Sequence, residues 1–513
     1  MPQGRSLYLL LYPMNLKSVI AKPFARYISK QVQLHMRNAV ADQATILNQL
    51  IRSAQNTQFG SDHRFSQLNQ VKDFQDAVPI RDYEQISSYI QLAKQGNPNI
   101  LWPGKPLYFA KTSGTTSGAK YIPISKESMP AHIHAARNAL LCYIAETGNT
   151  SFVDGQMIFL SGSPELEKVN GIFSGRLSGI VNHHVPGYLR KNQLPTYKTN
   201  CIEDWETKLD AIVNETMHRN MTLISGIPPW MQMYFDRLLE RSGKSIKDLF
   251  PNLSLIVHGG VNFEPYRAKL FETIGSSIDC IETFPASEGF FAFQDTRKEE
   301  GLLLNTRAGM FFEFVPAAEI FNEKPTRLTL NQVEKGVNYA LIISSNAGLW
   351  AYNIGDTIKF VSLDPYRIIV TGRIKHFISA FGEHVIAEEV EFAMRKASEK
   401  YSVKTIEYSV APLIAGQGDE SSCHEWLVAF ENEPEDLEKF AEEIDQELRK
   451  KNIYYEDLRK GNILSRLKIQ VLQKDAFILY MKSIGKLGGQ NKVPRLSNDR
   501  TIADAMQAFR KKN

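Results

Sequence analysis

The chain lacks long apolar runs, an excess of either charge and more than a few cysteines, and each absence excludes something. No stretch approaches the roughly 20 consecutive apolar residues of a membrane-spanning helix, so no membrane association is expected. The run Leu7–Leu11 after Arg5 is short and is ended by Pro13. No small-residue cleavage site follows it, so it does not read as a signal peptide, and Met14 serves equally well as the start. Net charge is +4, from 60 basic and 56 acidic residues, and the one basic block is Arg510-Lys511-Lys512. That balance argues against nucleic acid as a partner. The four cysteines, Cys142, Cys201, Cys280 and Cys423, are far apart and have no metal-ligand spacing. A reducing cytoplasm is the expected setting, with each thiol acting as a small buried apolar group. There is no internal repeat, no low-complexity tract and no exposed coiled-coil face, so a monomer is expected.

What is present is a chain of 513 residues, 43% hydrophobic and 23% charged, in the range of globular proteins. It is too long for one core, so two or three domains are expected. The stretch that organises the rest is Lys111-Thr112-Ser113-Gly114-Thr115-Thr116-Ser117-Gly118-Ala119-Lys120, flanked by apolar Leu107–Phe109 and Tyr121–Ile124. The flanks read as strands, and the segment between them as a tight loop rich in hydroxyls and bare N–H groups. Such a loop can wrap an anion, because glycine lets the backbone approach phosphate oxygens. It is not a Walker A loop: the second glycine would fall at Ala119, and no Ser or Thr follows Lys120. Composition alone leaves a plain surface hairpin equally open.

Before the loop, residues 35 to 57 have helical periodicity and stop at Phe59-Gly60. After it, strands and helices alternate. Strands are expected at Met157–Leu160, Thr222–Ile224, Leu253–Val257 and Ile278–Thr283. Helices are expected after Asp204, from Pro228 to about Leu239, and over Pro265–Ile274. The alternation predicts an α/β core with parallel strands. Beyond residue 300 come strands with few helices, including Met310–Val315, Arg327–Leu330, Tyr339–Ile343 and Thr357–Val361. They predict an antiparallel sheet or a β-barrel-like subdomain. From Thr371-Gly372-Arg373 a smaller α+β unit begins, with helices Ala387–Lys400 and Pro434–Lys450. The expected division is a large N-terminal domain over 1–371, a hinge over 372–376 and a small mobile C-terminal domain over 377–513.

Polar clusters fall where strands should end, which is where open α/β sheets bind ligands. At His258-Gly259-Gly260 a flat ring could lie against bare backbone; a simple turn is the alternative. Phe284-Pro285-Ala286-Ser287-Glu288 offers an aromatic face, a hydroxyl and a carboxylate. A carboxylate beside phosphates suits Mg²⁺, although most glutamates are simply solvated. Tyr352-Asn353-Ile354-Gly355-Asp356 places an acid where it could accept from ribose hydroxyls. Gly372-Arg373-Ile374-Lys375 reads as a hinge carrying basic residues. Gly488–Arg495 reads as a loop carrying Lys492, by itself an ordinary surface lysine.

The order of these clusters resembles the adenylate-forming enzymes, and within them the GH3 family of acyl acid–amido synthetases. Thr112-Ser113-Gly114-Thr115-Thr116 is similar to that family's Ser-Ser-Gly-Thr-Thr. Phe284–Glu288 is similar to its Tyr-Ala-Ser-Ser-Glu, Tyr352–Asp356 to its Tyr-Arg-Leu-Gly-Asp, and Lys492-Val493-Pro494-Arg495 matches as it stands. The early Phe59–Phe65 also looks like the family's N-terminal region. The resemblance runs from about residue 30 onward. It departs at Phe284, which lacks the tyrosine hydroxyl, at Asn353, which lacks the arginine charge, and mildly at Thr112.

The resemblance implies a ligase that uses ATP and Mg²⁺ to adenylate a carboxylic acid, then transfers the acyl group to an amine such as an amino acid. It implies that Ser113, Thr115, Thr116 and Lys492 offset developing charge. Thr112, Gly114 and Ser287 would help bind the nucleotide, and Glu288 would hold the metal. Phe284 and Gly259-Gly260 would flank adenine, and Asp356 and Arg373 the ribose. Coenzyme A as acceptor, or an inactive nucleotide-binding relative, are the alternatives. The acyl pocket is expected between Leu141 and Tyr188 and around Ile227–Met233, with His183 and His184 as polar contacts or a surface turn.

Overall fold

The structure is a computed structural model that describes residues 16–115, 118–185, 187–260, 263–374, 377–378, 380–383, 385–414, 422–484 and 494–511. Its centre is one eleven-stranded mixed sheet. The parallel half contains Gln156–Phe159, Met221–Gly226, Leu255–Gly259 and Asp279–Ala286, joined by helices. Thr222-Leu223-Ile224 and Leu255-Ile256 are buried apolar runs, as strands covered on both faces require. The connecting helices carry the expected punctuation. The Asp204 carboxylate accepts from the Thr207 N–H at 2.8 Å and starts helix Trp205–Thr216. Pro228-Pro229 opens helix Pro228–Ser242, and Gly243 closes it at φ +64°.

After residue 300 the strands continue the same sheet in antiparallel pairing. The antiparallel strands expected there extend the parallel half as one continuous sheet. That half curls. Met310, on the far edge strand Met310–Pro316, returns to the hairpin between Asp279–Ala286 and Gly289–Phe293, where a Cβ on Gly289 would lie 2.5 Å from its sulfur. Arg327–Leu330 is not a strand. Only Leu328 bridges, to Phe314, before the 3-10 turn Leu330–Gln332, because Arg327 is drawn into a buried ion pair with Glu313.

The N-terminal region packs on this antiparallel half. The helical stretch expected over 35–57 is helix Ala39–Ala54, and a further helix, Leu16–Met36, precedes it. Phe59, Phe65 and Phe74 surround the buried Trp350, whose Nε1 donates to the Leu101 carbonyl at 3.0 Å. A separate four-stranded sheet holds the organising stretch: Tyr108–Thr115 runs antiparallel to Gly118–Ile124 and parallel to Ile172–Gly175.

After residue 377 the chain builds a three-stranded sheet, Lys404–Leu413, Cys423–Asn432 and Lys468–Leu472. Helices Ala387–Tyr401 and Leu437–Lys451 pack together beside it. A short helix that periodicity did not reveal, Ile453–Lys460, follows. Cys142 and Cys423 are buried, while Cys201 and Cys280 are half-buried. Burial pushes the Cys142 and Cys280 thiols up to about 12, which leaves them unreactive at neutral pH. Among the described residues no helix is long and apolar enough to cross a membrane.

Candidate active site

The organising stretch is a β-hairpin. Thr112 faces Lys120 and Thr115 faces Gly118, with a bulge between Thr112 and Thr115. The bulge shifts the register just where the hydroxyl-rich sequence begins. Thr116 lies outside the described residues, and so do the side chains of Ser113 and Thr115; Gly114 is seated by its backbone within the first strand. Lys111 is committed to an ion pair with Glu167.

Thr112 leads to residues that the sequence reading missed. Its side chain hydrogen-bonds to the phenol of Tyr454, and that phenol also lies 3.4 Å from the Lys111 carbonyl. Glu288 is near enough to act on the same phenol electrostatically. Burial is the largest cause raising the Tyr454 pKa, so this tyrosine stays protonated and can donate. The Arg176 guanidinium stands 4.9 Å over the Tyr454 ring and is ion-paired with Asp457, one helical turn further on. Arg176 follows strand Ile172–Gly175, and its Cδ occupies the space a Cβ on Gly162 would need, at 2.6 Å. Beside it, the buried Lys208 donates to the carbonyls of Ser161 and Asn200 at 3.0 and 2.8 Å. Burial, helped by Arg176, lowers its pKa to about 8. A single Arg or Tyr at a strand or helix end carries no sequence signal; only the packing of Ile453–Lys460 on the hairpin joins them.

The other predicted clusters lie at or near strand ends. Gly259 pairs with Thr283 on the neighbouring parallel strand, and a Cβ on Gly259 would lie 2.2 Å from the Thr283 carbonyl oxygen. The Gly259-Gly260 turn and the Ser287-Glu288 hairpin therefore leave adjacent strands at the same edge. Gly260 adopts φ +82° and abuts Ile227, whose Cδ1 is 2.9 Å from the Cβ position of Gly382. Phe284 differs from expectation. Its ring is buried in the main apolar cluster, edge-on to Phe291 at 5.1 Å. Its packing does not support an adenine-stacking role.

Asp356 is buried, and its backbone stands directly opposite that of Arg373 across adjacent strands. The Arg373 side chain itself lies outside the described residues. Asn353 acts on its own backbone: its Oδ1 accepts from the Gly355 N–H at 2.9 Å and sets the φ +89° turn before Asp356. Because Tyr352 pairs with Ile343, and Phe312 also pairs with Ile343, the curl carries this strand end toward the Gly289 hairpin. Lys492 lies outside the described residues.

The expected acyl pocket divides. Leu141, Cys142, Tyr143 and Ile144 are core, packed with helix Leu16–Met36. Ile227 and Trp230 lie at the junction with the C-terminal region, where Trp230 meets Trp205 at 4.7 Å. His183 Nε2 contacts the Pro164 carbonyl at 2.7 Å, and His184 Nε2 contacts the Tyr108 hydroxyl at 3.0 Å. Both histidines brace local backbone and hairpin.

A mixed sheet, a hydroxyl-rich hairpin beside it and an α+β region packed against it make up a fold class that this chain shares with solved synthetases and ligases. Solved structures with this fold include the GH3.15 acyl acid amido synthetase in complex with 2,4-DB, with TM-score 0.60, 14% identity and coverage of 96% of this chain and 97% of that one. A 2-hydroxyisobutyryl-CoA ligase gives TM-score 0.54 at 13% identity, over 96% of this chain and 93% of that one. Within that class the chain belongs to the GH3 family. The family's N-terminal domain matches residues 28–193, its central domain 303–373 and its C-terminal domain 388–501. Among curated relatives, the jasmonoyl–L-amino acid synthetase JAR4 of Nicotiana attenuata is 21% identical over 357 residues, 56% of this chain and 60% of that protein. The indole-3-acetic acid-amido synthetase GH3.3 of Arabidopsis thaliana is 27% identical over 199 residues, 36% of this chain and 33% of that protein. The matched segments thus span less than two thirds of either relative's length.

Proposed function

We propose that this protein is an acyl acid–amido synthetase. A carboxylate oxygen of the acyl acid attacks the α-phosphorus of ATP, the bond to the β-phosphate oxygen breaks, and pyrophosphate leaves. The nitrogen of an amine, in the first instance an amino acid, then attacks the acyl carbon. The acyl–phosphate bond breaks, AMP leaves, and the nitrogen gives up a proton to solvent. The observation that carries this reading is the hydroxyl-rich hairpin of a GH3-family chain, whose Thr112 hydrogen-bonds the Tyr454 phenol from the C-terminal region. Both halves of the reaction place extra negative charge on phosphate oxygens, and fixed donors facing that charge lower the barrier.

In this reading Thr112, Ser113, Gly114, Thr115 and Thr116 cradle the phosphates, and Lys492 joins them for adenylation. Gly259 and Gly260 admit adenine against bare backbone, with Ser287 at the next strand end. Asp356 and Arg373 hold the ribose. Glu288, a half-buried carboxylate in the turn after strand Asp279–Ala286, fits a Mg²⁺ shared with ATP oxygens. Among the described residues no cluster of three or more His, Cys, Asp or Glu could cage a metal alone. Bound there, Mg²⁺ would supply neutralisation of phosphate charge. Residues 372–376 act as the hinge between domain 1–371 and domain 377–513, in the cytoplasm and as a monomer.

The test is carboxylate-dependent exchange of labelled pyrophosphate into ATP across aromatic, indolic and aliphatic acids, followed by amino acids as acceptors. Exchange with some acid and an amide product with some amine is the expected result. ATP binding without exchange for any acid would remove the adenylation step. A product formed only with a thiol would make the protein a thioester-forming ligase.

A further inference from the structure

We infer that helix Leu16–Met36 is a peripheral anchor that lays its outward face on an anionic lipid surface. The inference is independent of the reaction proposed above. The helix is an outer layer of the fold. Ala25 and Val32 are buried in one apolar cluster with Ala135 and Ala139 of helix Met129–Thr147, and that helix packs on strand Gly289–Phe293. The outward face is apolar too. Ile20 and Tyr27 are each 59% exposed, Phe24 44% and Leu34 43%. At 3.6 residues per turn these four side chains fall within about 80° of one another, on the side away from Ala25 and Val32. Five of the 17 exposed large apolar side chains among the described residues, Val19 included, belong to this one helix, so they form a patch rather than scattered single positions.

What covers the stripe follows from charge. Lys22, Arg26 and Lys30 recur every fourth residue along one border of it, and all three are exposed. Among the described residues no ion pair engages them. The helix contains no Asp or Glu, and the first acidic residue of the chain is Asp42, although acids make up 56 of the 513 residues. Upstream, Arg5 and the apolar Leu7–Leu11 continue the same composition. An apolar stripe bordered by cations and free of acids suits a helix lying in the plane of a bilayer interface. Its apolar side chains enter the acyl boundary while its cations meet anionic headgroups. Tyr27 fits that boundary, with an apolar ring and a hydroxyl that can stay wet. The same charges disfavour a second copy of this chain, because pairing stripe to stripe would bring two basic borders together with no acid to answer either. A helix that lies on a bilayer needs no unbroken apolar run, so the lack of a spanning helix among the described residues is compatible with this role.

The experiment uses the full chain and co-sedimentation with vesicles of phosphatidylcholine alone and of phosphatidylcholine mixed with phosphatidylserine. The wild type should bind the mixed vesicles, lose that binding in high salt, and fail to bind the neutral ones. Each cation near an anionic surface contributes roughly fivefold in affinity, so Lys22→Gln, Arg26→Gln and Lys30→Gln combined should weaken binding about hundredfold. Phe24→Ser with Tyr27→Ser should weaken it by about tenfold or more. All these positions are exposed, so thermal midpoints should stay near wild type. Phe24→Trp should add an emission that shifts to the blue on mixed vesicles, which locates the helix at the surface. No binding to mixed vesicles at low salt, equal binding to neutral vesicles, undiminished binding in either combined variant, or an unshifted emission would overturn the inference. A dimer in sedimentation equilibrium that Phe24→Ser with Tyr27→Ser dissociates, without vesicle binding, would give the face to a second copy and overturn it as well.

Discussion

Replacing Gly259 by alanine tests whether close approach of two strands shapes the candidate site. The added Cβ would lie 2.2 Å from the Thr283 carbonyl oxygen and 3.0 Å from its Oγ1. An ordinary carbon–oxygen contact needs more than 3 Å, so backbone must move by about 1 Å. The atom in the way is backbone in the paired strand Asp279–Ala286, so no side-chain rotation relieves it. Overpacking of this kind costs about 1–3 kcal/mol, and a disturbed ladder hydrogen bond adds about 1 kcal/mol. We expect Gly259→Ala to destabilise by about 3 kcal/mol. Gly275 supplies the control. It has φ +81° and nothing within 4 Å of its Cβ position, so Gly275→Ala carries only left-handed strain, about 1–2 kcal/mol. Urea midpoints measure both. The movement in Gly259→Ala also displaces the strand that leads into Ser287-Glu288, so pyrophosphate exchange should fall at least tenfold while the variant remains folded at 25 °C. Gly275→Ala, at a helix end, should keep near-normal exchange. Equal stability losses in the two variants, or wild-type exchange in Gly259→Ala, would refute the steric argument.

Glu288→Gln keeps the shape and removes the charge. It should depress exchange more than tenfold and raise the Mg²⁺ concentration needed for half-maximal rate, with a thermal midpoint near wild type. Lys208 makes stability depend on pH. Its folded pKa of about 8 lies below the unfolded value near 10.4, so the unfolded chain binds more protons between the two, and stability rises across that window. The difference between wild type and Lys208→Met should move in favour of wild type by about 3 kcal/mol from pH 7 to pH 10.5, followed by urea titration; a flat difference would remove the shift. Arg327 donates to both Glu313 oxygens at 2.9 and 2.7 Å and to the Gln75 and Val78 carbonyls. Arg327→Met should cost about 3–5 kcal/mol by stranding the fully buried Glu313 carboxylate, whereas Arg327→Met with Glu313→Leu should recover much of that.

Much of the architecture was legible in the chain because its signals are local. Pro228-Pro229 and Gly243 bracket a helix whatever surrounds them, and the Asp204 cap depends only on the N–H three residues on. Buried runs such as Leu255-Ile256 have no other place than a covered strand. The order of the hydroxyl-rich hairpin, the Ser287-Glu288 turn, the Gly355-Asp356 turn and Lys492 was enough to give the resemblance to the GH3 family. Local patterns also set limits. The break at residues 37–38 between two N-terminal helices leaves no mark in periodicity. Arg327–Leu330 has strand composition but answers to a buried carboxylate.

What the sequence determined by itself was the set of groups available for phosphate chemistry and the elements that carry them. Only the tertiary structure decided which way those groups face and what joins them. Phe284 is buried in the core because the hairpin it belongs to packs it against Phe291. Asn353, with no arginine charge to offer, instead locks the turn before Asp356. Arg176, Tyr454 and Asp457 become neighbours only because helix Ile453–Lys460 packs across the hairpin. The physical reason is range: caps, turns and periodicity act over a few residues, whereas a contact between distant segments depends on how whole sheets and helices pack.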